Sequence, residues 1–328
     1  MKPPRIVLVT GPTAVGKSSF ALALAEQIAG EIVSVDSVQL YRHLDIGTAK
    51  PSAEARARVP HHLVDVLDPD EKSNVADFAE MAHAAIAEVH ARGKPVVAVG
   101  GTNLYVRVLV RGIFDAPPPD EALRARHRAI ADERGNEHLH AMLADVDPEL
   151  AERIHPNDVV RVSRGLEVFD LTGKPLSVHQ REHRFATPNY DALELALVRP
   201  REELYDRIDR RVDAMMEAGL LDEYRHLVDD LGYARDLDAL QSLGYRHMGM
   251  HVFDGVDLDE AVRLMKRDTR RFAKQQLSWL RSEEGVRWAR APLVAGPEVV
   301  ADVEAFLGGE HPALEWTHDT DGAACRHE

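Results

Sequence analysis

The segment GPTAVGKSS, at residues 11–19, has the residue types and spacing of a phosphate-binding loop. It fits the pattern G-x-x-x-x-G-K-[ST] at Gly11, Gly16, Lys17 and Ser18. In such a loop, backbone N–H groups surround a phosphate, the lysine neutralises its charge and the hydroxyl binds Mg²⁺. We therefore predict that residues 11–18 bind a phosphate group and that Ser18 is a magnesium ligand.

Two more polar segments each follow an apolar run, namely Asp36-Ser37 and Gly100-Gly101-Thr102. Asp36 has two interpretations: a general base that faces the phosphate, or an aspartate that caps the next turn or orients Mg²⁺. Thr102 either caps a helix after a tight glycine turn or hydrogen-bonds the reacting groups. No further apolar run ends in a convincing second acid, as a kinase would require, so ATP is not implied as the source of the phosphate.

The elements that position these residues are predicted from apolar runs and helical periodicity. Strands are expected at 5–10, 31–36, 95–101 and 192–200, and helices at 17–29, 75–92, 117–184, 201–230 and 257–282. Strands that alternate with helices predict an α/β fold, a P-loop NTPase-like parallel sheet flanked by helices, with ligands bound at the carboxyl ends of its strands.

The predicted domain organisation is a catalytic core interrupted by a small helical insertion. The core comprises residues 1–116 and 185–292, the insertion residues 117–184, and a C-terminal extension residues 293–328. We expect the end of the extension, from about Gly308, to be disordered because it is rich in small and polar residues.

Composition limits the class of protein. The chain has 328 residues and a net charge of −15, with no apolar run of transmembrane length and no signal-peptide pattern, so we expect a cytoplasmic protein. Its single cysteine, Cys325, excludes a disulfide framework. The acidic balance argues against nucleic-acid binding, but residues 263–281 carry seven basic side chains and one acid, Asp268. Taken alone, this basic stripe is either a solvated helix face or a surface for a polyanion.

Eight ordered segments between about residues 5 and 290 carry a family resemblance: GPTAVGKS, DSVQLYRHLDIGTAKP, HHLVDV, VGGTNLY, NDVVRVSRGLEV, TGKPLS, SLGYRHMG and TRRFAKQQLSWLR. In this order they resemble the tRNA dimethylallyltransferases, also called tRNA isopentenyltransferases. The resemblance implies transfer of a dimethylallyl group from dimethylallyl diphosphate to N6 of the adenosine 3′-adjacent to the anticodon, with release of diphosphate. It also implies a Mg²⁺ cofactor.

The resemblance assigns catalytic roles to four side chains. Asp36 would be the general base, Thr102 would lie near both reactants, and Lys17 and Arg211 would bind the diphosphate, with Arg207 a weaker candidate. The diphosphate-binding residues would be Gly11, Pro12, Thr13, Ala14, Val15, Gly16, Lys17 and Ser18.

The resemblance also implies that the insertion clasps the tRNA anticodon stem-loop, that the adenosine is flipped out of its stack, and that the basic stripe meets backbone phosphate. The implied tRNA-binding residues are Asp36, Ser37, Val38, Gln39, Thr102, Arg124, Val160, Arg161, Val162, Ser163, Arg164, Gln241, Ser242, Leu243, Gly244, Tyr245, Arg246, Lys274, Gln275, Gln276, Leu277, Ser278, Trp279, Leu280 and Arg281.

This chain departs from the family pattern at a few of these positions. Gln275 stands where the family usually has arginine, and Val160 where glutamine is common, which weakens those two contacts as inferences. Ser278 conservatively replaces a threonine. The recurring pair His61-His62 lacks the spacing of a zinc site, so we expect packed or hydrogen-bonded histidines there.

Three other functions remain open from the residues alone. The first is a prenyltransferase that acts on free AMP or ADP, against which the insertion and the basic stripe argue. The second is a small-molecule kinase or NTPase. The third is a non-catalytic RNA-binding protein with a vestigial loop, against which the intact Lys17, Ser18, Asp36 and Thr102 argue. We expect a monomer that does not bind a membrane.

Overall fold

A six-stranded sheet forms the centre of the computed structural model, which describes residues 3–113, 117–183, 188–315 and 317. Its strands are β1 (Arg5–Thr10), β2 (Glu31–Val35), β3 (His61–His62), β4 (Val96–Gly100), β5 (Asp191–Val198) and β6 (Arg287–Arg290). They lie in the order β3-β2-β4-β1-β5-β6, and every neighbouring pair is parallel. This confirms the predicted parallel α/β fold.

Helices connect the strands and extend beyond them. They are α1 (Lys17–Gln27), α2 (Ala53–Arg58), α3 (Val75–Ala91), α4 (Asn103–Arg111), α5 (Glu121–Arg134), α6 (Asn136–Val146), α7 (Pro148–Ala151), α8 (Val159–Thr172), α9 (Leu176–His183), α10 (Arg201–Glu217), α11 (Leu220–Arg225), α12 (Tyr245–Asp254), α13 (Leu258–Leu280) and α14 (Pro297–Leu307). A π-helical turn, His226–Asp230, follows α11.

The central strands are apolar on both faces because helices cover both faces of the sheet. Along β1, Val7 and Val9 belong to a core that includes Phe20 and Leu24 of α1. The alternate residues of β1, Ile6 and Leu8, belong to a second core that includes residues of α3. The strands are thereby fixed between two cores, and their carboxyl ends form one edge of the sheet.

The chain divides into two compact units, one formed by Met1–Val110 with Asn189–Glu328 and the other by Arg111–Pro188. The second unit is helical and has its own core, which includes Leu139, Leu143 and Leu166. In the first unit, α14 contributes Val303 and Phe306 to the core around α1, so the extension is packed as far as this helix. The predicted disorder from Gly308 falls mostly on residues outside the described part, as does Cys325.

Three differences from the sequence prediction have local causes. The helix expected at 201–230 is interrupted because Gly219, at φ 98°, is left-handed. Strands β3 and β6 were not predicted, since they are only two and four residues long. Helices α2, α12 and α14 were not predicted either; α2 has only six residues and α12 contains a glycine. Within the described ranges, no helix combines the length and apolar character needed to span a bilayer.

Candidate active site

The phosphate loop leaves β1 and enters α1 in a conformation that glycine makes possible. Gly11 has φ 136°, and a Cβ atom there would lie 2.6 Å from the carbonyl oxygen of Leu197. Two arginines hold the far side of the loop: Arg207 Nε donates to the Ala14 carbonyl and Arg199 Nε to the Val15 carbonyl, each at 2.9 Å. Arg207, the weaker diphosphate candidate, is therefore at least a support of the loop.

Lys17 and Arg211 form a pair of like charges over this loop. Lys17 Nζ donates to the carbonyls of Gly11 and Pro12, both at 2.9 Å, which leaves one N–H bond for another acceptor. Burial, and then the positive charge of Arg211, lower the pKa of Lys17 to about 7, against the opposing effect of Asp36. Burial also lowers the pKa of Arg211. In the described part of the chain neither cation has a carboxylate ion-pair partner, so together they favour an anion.

A proton should therefore be taken up when inorganic diphosphate binds at pH 8. With a pKa of about 7, Lys17 is mostly neutral at this pH, and a bound anion returns its pKa toward the ordinary value. We expect up to about 0.9 proton from Lys17 at pH 8 and almost none at pH 6. Titration calorimetry in buffers of different ionisation enthalpy measures this uptake. Lys17→Gln should lack the Lys17 contribution, and an uptake equal to that of wild type would contradict the assignment.

The loop cations face a cavity of about 370 Å³, which we call the loop chamber. A second cavity of about 600 Å³, the large chamber, lies beside it. Both chambers are lined by Thr13, Asp36, Thr48, Gly101, Arg211, Phe272 and Gln276. The predicted phosphate loop and the predicted base therefore line one continuous site, and Asp36 and Arg211 lie where its two parts meet.

Asp36 has the capping role that its sequence position suggested, and its second oxygen stays available for the predicted role of general base. Its Oδ1 atom accepts hydrogen bonds from the backbone N–H groups of Val38 and Gln39, at 2.9 and 3.2 Å, and so caps the turn after β2. Its Oδ2 atom accepts no hydrogen bond from the described residues, and both chambers include Asp36 in their lining. One oxygen thus fixes the carboxylate while the other is available for a proton.

Thr102 does not cap α4, as one interpretation expected. Its Oγ1 atom instead accepts a hydrogen bond from the Ser37 backbone N–H at 3.2 Å, which ties the loop after β4 to the loop after β2. The preceding glycines are needed for space, because a Cβ atom on Gly101 would lie 2.5 Å from the side-chain amide of Gln276. Thr102 lines the large chamber, and Ser37 lies beside it there.

Gln276 joins the phosphate loop to the loop that contains Thr102. Its Oε1 atom accepts from the Thr13 N–H and its Nε2 atom donates to the Gly101 carbonyl, both at 2.8 Å. The residue is 4% exposed, and both ends of its amide are occupied within the protein. Its side chain therefore holds the two loops together, and because Gln276 also lines the large chamber its contact with tRNA stays a prediction.

Replacing Gln276 with methionine should loosen both loops. The substitution leaves the Thr13 N–H and the Gly101 carbonyl without partners, which typically costs about 1–3 kcal/mol of stability. We expect a lower melting temperature and weaker diphosphate binding, measured by thermal denaturation and calorimetry. Gln27→Met, at the exposed end of α1, is the matched control and should change neither. Wild-type diphosphate affinity in Gln276→Met would contradict the bracing role.

Three of the seven cations in the basic stripe are paired with acids outside the stripe, two of them with acids that are distant in sequence. Lys266 pairs with Asp213 at 2.6 Å and Arg270 with Asp209 at 2.7 Å, both acids lying on α10. Arg263 pairs with Glu260 on its own helix. These three cations are therefore withdrawn from the predicted RNA-facing stripe, since each already has an anionic partner.

Several other predicted RNA contacts have buried side chains in their own unit. Val162 and Ser163 lie inside the helical unit, where Ser163 Oγ is 2.9 Å from Nδ1 of the buried His127. In the first unit, Tyr245 is fully buried and donates its hydroxyl proton to Glu223 at 2.5 Å, and Leu280 is 1% exposed. These four side chains support their neighbours, and the contact of these residues with RNA stays a prediction.

Other predicted contacts in the helical unit remain at the surface. Val160, one of the departures from the family pattern, is 81% exposed at the start of α8. Arg124 and Arg164 are partly exposed, and both pair with the buried carboxylate of Glu167. Glu167 also accepts from the Asp120 N–H at 2.7 Å, so it fixes the two arginines against the start of α5. Their contact with RNA stays a prediction.

The histidine pair and the magnesium position agree with the chemistry expected of them. His61 donates to the Val59 carbonyl at 2.8 Å and His62 to Glu31 at 2.7 Å, as hydrogen-bonded histidines. Within the described ranges, no group of three or more His, Cys, Asp or Glu residues is arranged to hold a metal. Ser18 lies exposed in the first turn of α1 and lines the loop chamber. One hydroxyl beside an anion site fits Mg²⁺, which commonly takes its other ligands from substrate phosphates and water.

Three site residues were missed from the sequence. Arg199 directly follows β5, at the same sheet edge that selected Asp36 and Thr102, and could have been found by that rule. Thr48 and Phe272 line both chambers. The family segments contain them, but nothing in their local spacing indicates a role.

Comparisons with known proteins agree with this site. A family model described as IPP transferase matches residues 39–283, and one described as Isopentenyl transferase matches residues 4–62. A tRNA dimethylallyltransferase 2 of Geotalea daltonii is 47% identical over 309 residues, which is 94% of each chain. A tRNA dimethylallyltransferase of Geobacter metallireducens is 50% identical over 288 residues, which is 88% of this chain and 93% of the relative.

Two solved structures resemble this one. A full-length tRNA isopentenylpyrophosphate transferase of Bacillus halodurans has a TM-score of 0.67 at 39% identity and covers 94% of this chain and 96% of its own. A eukaryotic dimethylallyltransferase acting on tRNA has a TM-score of 0.79 at 27% identity and covers 95% of this chain and 82% of its own.

A parallel sheet with a glycine-lysine loop at the end of its first strand defines a phosphate-binding α/β protein of the P-loop type. Among such proteins, the family models and the relatives that match nearly the whole chain specify one family. The chain belongs to the IPP transferase family, whose curated relatives above are named tRNA dimethylallyltransferases.

Proposed function

We propose that this protein transfers a dimethylallyl group from dimethylallyl diphosphate to N6 of the adenosine 3′-adjacent to the anticodon in tRNA, releasing diphosphate. The proposal rests on the family membership together with one observation. Two partly buried cations without carboxylate partners in the described part of the chain, Lys17 and Arg211, share a cavity with a fixed carboxylate, Asp36. An anionic leaving group and a proton acceptor are the two components this reaction requires.

Different side chains of this site would accept the proton and stabilise the leaving group. N6 of the adenosine forms a bond to the allylic carbon, while the carbon–oxygen bond breaks and its electron pair leaves with the diphosphate. An exocyclic adenine amine is a weak nucleophile because its lone pair is delocalised into the ring, so a base must accept the N6 proton as the bond forms. Oδ2 of Asp36 is the available acceptor.

The developing negative charge on the diphosphate would be stabilised by the loop N–H groups, Lys17 and Arg211. Such preorganised donors act strongly because they need not reorient during the reaction. Thr102 would hydrogen-bond near both reactants, held by its contact with the Ser37 N–H. Mg²⁺, held by the Ser18 hydroxyl and the diphosphate oxygens, would supply further neutralisation of the leaving group.

The adenosine would enter through the large chamber, which requires it to leave the base stack. We propose that the helical unit contributes to binding of the anticodon stem-loop through Arg124 and Arg164, whose positions Glu167 fixes. Lys274, Gln275, Ser278 and Trp279 remain proposed contacts on α13. A cytoplasmic location and a monomeric state likewise stay predictions.

Mass spectrometry of digested RNA tests the proposal. The protein is incubated with an unmodified anticodon stem-loop RNA, dimethylallyl diphosphate and Mg²⁺, and parallel reactions contain AMP or ATP instead of the RNA. We expect a five-carbon addition to one adenosine of the RNA and none to AMP. Addition to AMP alone would identify a free-nucleotide prenyltransferase, and ATP turnover without prenyl transfer would identify an NTPase. Either result would overturn the proposal.

A further inference from the structure

Asp268 of α13 lies at the centre of three arginines in the wall of the large chamber. Its Oδ1 atom accepts from Arg267 Nε at 2.8 Å and lies 3.6 Å from Arg271 Nη1. Its Oδ2 atom accepts from Arg246 at 3.0 Å and from the buried His247 at 3.3 Å. Arg267, and then the other partners, lower the pKa of Asp268 to about 2, so it is a fixed anion at neutral pH.

The cluster keeps a positive excess. Burial lowers the pKa of His247, which favours its neutral form, and three guanidinium groups face one carboxylate. The excess is two positive charges, in a chain whose net charge is −15. Elsewhere on α13, Arg263, Lys266 and Arg270 each have an acidic partner. Of the six stripe cations on α13, these three are paired elsewhere, Arg267 and Arg271 belong to the cluster at the chamber, and Lys274 is exposed near the end of the helix.

The three guanidinium groups also have donors to spare. A guanidinium carries five N–H bonds, and Arg267 uses its Nε on Asp268, which leaves the two terminal groups as a fork that matches a phosphate. The three side chains are 41%, 39% and 67% exposed for Arg246, Arg267 and Arg271, so their outer atoms reach solvent. All three line the chamber that also contains Asp36 and Thr102.

We propose that Arg246, Arg267 and Arg271, positioned by Asp268, form a phosphodiester-binding site that holds the RNA backbone beside the adenosine in the large chamber. This inference rests on the proposed function and adds a specific anchoring site to it. Phosphate contacts fix the register of a bound nucleic acid, so the site would present one nucleotide to Asp36. Asp268 contributes by holding the three guanidinium groups in one arrangement before RNA arrives.

Salt-dependent RNA binding tests the site with the full-length protein. Arg267→Gln and Arg271→Gln are each expected to weaken binding of the unmodified anticodon stem-loop about tenfold and to reduce the slope of log K against log salt by about 1. Arg263→Gln and Lys266→Gln change the net charge by the same amount on the same helix, but at cations that are already paired. These controls should leave the slope unchanged. Inorganic diphosphate should bind all four variants like wild type, which would also show that they are folded.

The outcomes separate the site from the wider proposal. Equal losses of RNA affinity in the test and control variants would mean that α13 attracts RNA only through its overall positive charge. That result would overturn the proposed phosphodiester-binding site. A wild-type slope of log K against log salt in Arg267→Gln and Arg271→Gln would also overturn this site, even if the wild-type protein transfers the prenyl group. Stronger loss of binding to AMP than to RNA would place a free nucleotide in the cluster and contradict an RNA-backbone site. A wild-type protein that neither binds nor modifies RNA would overturn the proposed function itself.

Discussion

Asp36→Asn should transfer the dimethylallyl group roughly 10²–10⁴-fold more slowly than wild type, the range that a positioned general base supplies. Asparagine keeps an Oδ1 oxygen for the N–H groups of Val38 and Gln39, so the turn after β2 should stay intact. It loses the carboxylate that accepts the N6 proton. Single-turnover kinetics with saturating RNA and dimethylallyl diphosphate measure the loss, and thermal denaturation should give nearly the wild-type melting temperature.

Two further variants separate the base from the turn cap. Asp36→Ala removes both functions and should be as slow as Asp36→Asn, while losing about 1 kcal/mol of stability with the cap. Asp70→Asn, at an exposed loop aspartate, controls for the change in charge and should react like wild type. If Asp36→Asn reacted at the wild-type rate and only Asp36→Ala were impaired, Asp36 would be a structural cap alone.

Arg211→Gln should slow transfer by about 10²–10³-fold, the usual effect of removing one preorganised donor to developing negative charge. The same change should weaken diphosphate binding. It should not destabilise the ligand-free protein, because it removes a buried charge that has no carboxylate ion pair within the described ranges. Since Arg211 is one cause of the lowered pKa of Lys17, that pKa should rise and the proton uptake at pH 8 should decrease. Kinetics, thermal denaturation and calorimetry measure the three effects.

The neighbouring Arg210 provides the control for this variant. Arg210 lies on the exposed side of α10 and, among the described residues, donates only to the Asp206 carbonyl of its own helix, at 3.3 Å. Arg210→Gln makes the same substitution one residue away and should leave rate, diphosphate affinity and proton uptake unchanged. A pair of variants with equal kinetics would show that Arg211 does not contact the leaving group.

The sequence predicts those parts of the site that depend on short apolar runs and on the residues that directly follow them. Buried parallel strands are short apolar runs, and their carboxyl ends meet at one edge of the sheet. Lys17, Asp36 and Thr102 could therefore be assigned to one site from the sequence alone. Arg199 obeys the same rule but was overlooked, because an arginine after a strand suggests no specific chemistry. Arg211 came only from the family resemblance, since its helix reads locally as an ordinary charged face.

The partners of α13 could not be predicted, because they join residues far apart in the chain. Arg270 and Asp209 are 61 positions apart, and Gln276 and Thr13 are 263 apart. Periodicity shows which residues share one helix face but not which acids of α10 oppose that face. The sequence of the basic stripe contains only one acid, so the stripe was predicted to be strongly positive. In the fold, three of its cations pair with acids that lie outside the stripe. In the described part of the chain, the residues around Asp268 keep a positive excess, and Lys274 lies exposed further along the helix.

A crystal structure of the protein with an unmodified anticodon stem-loop and a non-reactive thio analogue of dimethylallyl diphosphate would test the shared site directly. We predict that the analogue's diphosphate contacts the N–H groups of residues 16–18, Lys17 and Arg211. The adenine N6 atom should lie about 2.6–3.2 Å from Oδ2 of Asp36, the range of a proton-transferring hydrogen bond. A diphosphate bound away from the loop chamber, or an adenine whose N6 faces away from Asp36, would contradict the assignment of leaving group and base to this one cleft.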